Sequence, residues 1–137
     1  MVKVPLSFKI KLMNSQIAMQ VQHESDAWKR LLEFIEIEDN FLLNRLSSVL
    51  KESQDFKPVN GAESLQEKLI QVNTVVKLFQ EDISELDALL LKAKFENGNV
   101  SKQVDARYKH LKNKIGKLET DFNNLKNKFN NFIADSL

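Results

Sequence analysis

The sequence predicts an all-α fold, an antiparallel up-down-up bundle of three long helices over about 15–53, 62–97 and 100–136, preceded by an extended or strand-like N-terminal arm over about 4–12. Three observations predict it. Val104, Tyr108, Leu111, Ile115, Leu118, Phe122, Leu125, Phe129 and Phe132 are separated by alternating steps of four and three, the apolar seam of a helix packed along another helix. Leu65, Leu69, Val72, Val76, Phe79, Ile83, Leu86, Leu90 and Ala93 repeat the same steps. The 137 residues also include only two prolines and three glycines, so little interrupts a helical run. The length suits one domain spanning residues 1–137.

At the start of the chain, Leu6, Phe8, Ile10 and Leu12 alternate with Ser7, Lys9 and Lys11, a period of two that predicts a strand or extended arm. Such an arm needs a partner for its backbone, from its own chain or another copy. Ile17, Met19 and Val21 continue the alternation, which admits a hairpin at Asn14–Ser15 with Ser25 capping a shorter helix. Length favours one long first helix: a helix from about Ser15 to Ser53 spans roughly 58 Å, close to the other two. Its core stripe comprises Ile17, Val21, Trp28, Leu31, Leu32, Ile35, Leu42, Leu46 and Val49. Glu38 and Asp39 lie beside that stripe and, with Glu24, are its charged interruptions, usually snorkelling or loop-facing side chains and less often a register or partner-selecting device.

Pro58 and Asn60–Gly61 mark the first reversal, and Ser64-Leu-Gln-Glu67 has the form of a capping box for the second helix. Asn97–Gly98 closes that helix, and the third begins near Asn99 to Ser101. Short connections make successive helices antiparallel, which sets Leu90 against Tyr108, Ile83 against Ile115, Val76 against Phe122 and Leu69 against Phe129. Residues 15–53 and 62–96 each hold seven acidic and four basic side chains, whereas 101–137 hold four and eight. In this register Asp87 is expected near Lys112 and Asp82 near Lys114. The arrangement resembles spectrin-like three-helix bundles in helix number and approximate length, a likeness of shape that carries no activity with it.

The 20 basic and 19 acidic residues nearly cancel, which removes any overall field toward nucleic acid or a membrane. Cysteine is absent, excluding disulfides, thiolate ligands and cysteine nucleophiles, and a cytoplasmic location is expected. Neither His23 nor His110 follows a glutamate by three residues, so the acidic cluster Glu33, Glu36, Glu38 and Asp39 lacks the Glu-x-x-His pairs of a di-iron bundle. No metal, cofactor, membrane or small-molecule substrate is expected, and the chain reads as non-catalytic.

Two features invite partners. Phe34, Ile37 and Phe41 point away from the first helix's core stripe, and Ile70, Leu78 and Leu91 fall outside the second seam. Together with Leu6, Phe8, Ile10 and Leu12 of the arm they form the candidate interaction surface of a self-associating helical scaffold, expected as a homodimer. The alternative is nucleic-acid or anionic-surface binding through the basic first half of the third helix. Lys102, Lys109 and Lys117 form its outer row, beside Arg107, His110, Lys112 and Lys114.

Overall fold

A computed structural model describes the backbone of residues 6–52, 59–93 and 99–136, and the side chains of 16–52, 61–93 and 102–135. Three α-helices account for all of the described backbone. They are α1 (Leu6–Glu52), α2 (Val59–Ala93) and α3 (Asn99–Ser136). They pack into one core in which both predicted seams are buried from Leu65 to Leu90 and from Val104 to Phe129, Tyr108 being half-buried. The pairing of α2 with α3 follows directly from those seams: each presents an apolar side chain every 3.5 residues to an equally regular neighbour.

α1 departs from expectation at its beginning. Helical backbone starts at Leu6, so residues 6–12 are helical where the alternating pattern predicts an extended arm. The side chains of Leu6, Phe8, Ile10 and Leu12 lie outside the described residues, and their packing with them. Neither the hairpin at Asn14–Ser15 nor a cap at Ser25 forms; both sites are within the continuous helix. Ile17, assigned to the core stripe, is 48% exposed. Cross-links from Ser25 to Asp87 and from Glu36 to Gln80 put Val21 level with Ala93, the last described residue of α2, and Ile17 lies beyond that level.

The capping box at Ser64 is not the start of α2, which begins five residues earlier at Val59, leaving Ser64 exposed inside the helix. Packing explains the longer helix. Ala62 is completely buried, and a Cβ on Gly61 would sit 3.4 Å from the Phe132 ring, so the opening turn of α2 is fixed against α3. The last described helical residue of α2 is Ala93, short of the predicted end at 97; residues 94–98 lie outside the described set. At the end of α3 the buried position belongs to Ile133, four residues after Phe129, while Phe132 is half-buried at Gly61.

α1 contributes Val21, Trp28, Leu32, Ile35, Leu42 and Leu46 to the core, with Leu31 and Val49 half-buried. Steps of four and three through these residues pass through two more positions, 25 and 39. Ser25 and Asp39 occupy them, and both are completely buried. The seam of α1 is therefore as regular as the other two, but it carries two polar side chains.

Candidate interaction surfaces

Polar cross-links fix where α1 sits. Toward α2, Ser25 Oγ donates to Asp87 Oδ1 at 2.7 Å, Asn73 Nδ2 donates to Asn40 Oδ1 at 3.0 Å, and Gln80 Nε2 donates to Glu36 Oε2 at 3.4 Å. Lys29 Nζ lies 2.6 Å from the other oxygen of Asp87, and its hydrogen bond to that carboxylate holds the ammonium above its ordinary pKa of 10.5. Toward α3, Lys126 Nζ donates to both oxygens of Glu38 at 3.0 and 2.8 Å, Lys112 Nζ lies 3.9 Å from Glu24, and Trp28 stacks on Tyr108 with centroids 5.6 Å apart.

These contacts correct the expected ion pairs. Asp87 faces α1, where it serves Ser25 and Lys29, and Lys112 meets Glu24 instead of Asp87. Asp82 and Lys114 line one small recess with Glu85 and Arg107, but they form no ion pair with each other; the pair that joins α2 to α3 there is Arg107–Glu85 at 2.8 Å. Heptad arithmetic gives the level of a residue along the bundle correctly, whereas the side of α2 that α1 covers decides which charge it meets.

Ser25 is completely buried, and its hydroxyl finds its acceptor in the half-buried carboxylate of Asp87. Ser25→Ala is expected to lower unfolding free energy by about 1 kcal/mol, the ordinary net worth of such a bond. Urea denaturation followed through Trp28, the one tryptophan, measures it. A loss below the error of the fit would mean that the bond contributes nothing.

Asp39 has no such partner. It is 0% exposed, neither carboxylate oxygen has a hydrogen-bond partner, and burial pushes its pKa from 3.8 up to about 7. Neither of the two adjacent acids is loop-facing: Glu38 is half-buried and paired with Lys126 of α3, and Asp39 is buried in the seam. Among the described residues no group of three or more His, Cys, Asp or Glu is gathered as a metal site would require. No helix among them is long and apolar enough to cross a membrane.

The candidate apolar surface divides into separate pieces. Phe34, Ile37 and Phe41 stand together on the outer side of α1, 55%, 62% and 63% exposed. Ile70 and Leu91 are also exposed, but 21 residues of helix, roughly 31 Å, separate them, so they form no single patch. Leu78, 53% exposed, belongs to a different feature, the lip of a groove between α2 and α3.

The basic row divides too. Lys109 is paired with Asp105 at 3.0 Å, Arg107 with Glu85 and Lys112 with Glu24, whereas Lys117 borders the α2–α3 groove and Lys102 is exposed about four turns away. Sequence reasoning named Ser25 only as a cap and Asp39 only as a charge beside the stripe, and placed neither in the seam; it did not find the groove. The first two were marked by seam spacing, since positions 25 and 39 continue the steps of four and three; the groove requires knowing which side of the α2–α3 pair α1 leaves open. No family model matches the chain, and neither a curated protein nor a solved structure matches it.

Proposed function

We propose that this protein is a non-catalytic helical interaction module that associates with a second copy of itself through the outer face of α1. The observation that carries this reading is the exposure of Phe34, Ile37 and Phe41 side by side, opposite a core already filled from the other face of the same helix. Large apolar side chains spaced by three and four are those a second helix buries, and fully covering each is worth roughly 1.5 to 3 kcal/mol. Exposed Arg30, Glu33 and Arg45 border the patch with both signs of charge, which suits a two-fold contact between identical surfaces. The ion pairs of Arg107, Lys109 and Lys112 favour this reading over the anionic-surface alternative, since they neutralise half of the basic run.

Light scattering at rising concentration tests it. The native chain is expected to approach double the 15.8 kDa of one chain, and Phe41→Glu to hold it at the single-chain mass with helicity unchanged. A native monomer at millimolar concentration, or a dimer indifferent to Phe41→Glu, would remove the proposal.

A further inference from the structure

The three junctions between helices are not closed alike. Hydrogen bonds and an ion pair bridge α1 to α2 at four places, and two ion pairs with the Trp28–Tyr108 stack bridge α1 to α3. Between α2 and α3, Arg107–Glu85 closes one end. Beyond it, among the described residues, no hydrogen bond or ion pair joins residues 68–79 to residues 114–128. A groove of about 610 Å³ opens there.

Its floor is apolar. Val72, Phe79, Leu118 and Leu125 line it and keep 7 to 9% exposure, whereas Val76, Ile115 and Phe122 of the same seams are at 2% or less. Val75 and the exposed Leu78 widen the strip on the α2 side. Around this strip stand Lys68, Lys114, Lys117 and Lys128, against the single acid Asp121. None of these four lysines makes an ion pair among the described residues, although other lysines of α3 do. An apolar strip between two helices, with its residues at steps of three and four, is the seat of a fourth helix. Four unpaired cations at its edges repel one another until acidic groups arrive.

We propose that the α2–α3 groove docks an amphipathic helix of a partner protein, apolar at steps of three and four and flanked by glutamate or aspartate. From Lys114 to Lys128 the groove is roughly 21 Å long, so the bound segment is about two heptads. The recessed apolar floor selects a helix over nucleic acid or a lipid headgroup, which would engage lysines and leave Val75 and Leu78 in water. The evenly mixed charge beside Phe41 contrasts with this border of four lysines and one acid, and the two surfaces lie on different helices.

The test is fluorescence anisotropy with the full chain and a labelled three-heptad peptide carrying leucine at the seam positions and glutamate at the flanks. A lysine-flanked peptide of the same seam, phosphatidylserine vesicles and single-stranded DNA serve as comparisons. The Phe41→Glu background keeps self-association out of the readout. The glutamate-flanked peptide is expected to bind saturably and more weakly as salt rises, with the lysine-flanked one at least tenfold weaker. Leu78→Glu, and Lys117→Glu combined with Lys128→Glu, are each expected to weaken the acidic peptide at least tenfold while circular dichroism stays native. The proposal is overturned if both peptides bind alike, if the acidic peptide does not bind, or if its affinity survives both variants. It is equally overturned if vesicles or DNA displace the peptide through the same lysines, or if Leu78→Glu in the otherwise native chain dissociates the dimer, which would assign the groove to a second copy.

Discussion

Asp39→Leu is expected to stabilise the protein by about 3 to 4 kcal/mol at pH 8, raising its melting temperature by about 10 °C. The native carboxyl is completely buried without a hydrogen-bond partner, and its pKa in the folded state is about 7 against an ordinary 3.8. An acid whose folded pKa is raised holds its proton more tightly folded than unfolded. Its penalty is therefore absent below pH 3.8, grows as pH rises from 3.8 to 7, and is complete above 7. Each unit of that shift corresponds to about 1.4 kcal/mol. Leucine removes the charge and places an apolar group at a seam position that calls for one.

Asp39→Asn, nearly the same size, isolates the ionisation. Relative to this variant the native chain should lose about 2 to 3 kcal/mol more stability at pH 8 than at pH 5. Urea unfolding at the two pH values measures the difference. If the gap between native and Asp39→Asn were the same at both, the carboxyl would not be titrating in that window.

Phe122→Ala should have the largest opposite effect, a loss of about 3 to 5 kcal/mol. The ring is 2% exposed in the α3 seam, so its removal forfeits apolar burial and leaves a cavity between helices that are tied elsewhere. The same ring lies 5.9 Å from Lys126 Nζ, whose ammonium bridges to Glu38, so its loss also loosens the link that holds α1 to α3. The urea midpoint should fall with little change in the slope of the transition. A cost below about 1 kcal/mol would mean that neighbouring side chains collapse into the space, contrary to a core held by three regular seams.

The seams of α2 and α3 were legible because their apolar residues recur without interruption from Leu65 to Leu90 and from Val104 to Phe129. α1 was only partly legible. Ser25 and Asp39 hide two seam positions from any reading that counts hydrophobic residues, and the stripe then appears broader and less regular than it is. Ile17 has the right spacing, yet it is 48% exposed and lies level with residues beyond Ala93, the last described residue of α2. Charge pairing was the least legible, since the expected Asp87–Lys112 pair assumed that Asp87 faces α3, and Asp87 faces α1. Phe34, Ile37 and Phe41 were readable as outward-facing because the helix period alone turns them from the core. The α2–α3 groove was not, because it is defined by what α1 leaves uncovered.

Ser25 also determines the phase of the assembly. Heptad seams are self-similar, so α1 could slide seven residues along α2 and still set apolar groups against apolar groups. Such a slide would carry Ser25 away from Asp87 and bring Ala18 or Leu32, residues without a hydroxyl, to the carboxylate's level. The serine would then be buried without its acceptor, a cost of about 1 to 3 kcal/mol. Lys29 would lose the same carboxylate in the same movement. One small side chain, worth little as a bond, thus distinguishes a single alignment among several that the hydrophobic repeat treats as nearly equal.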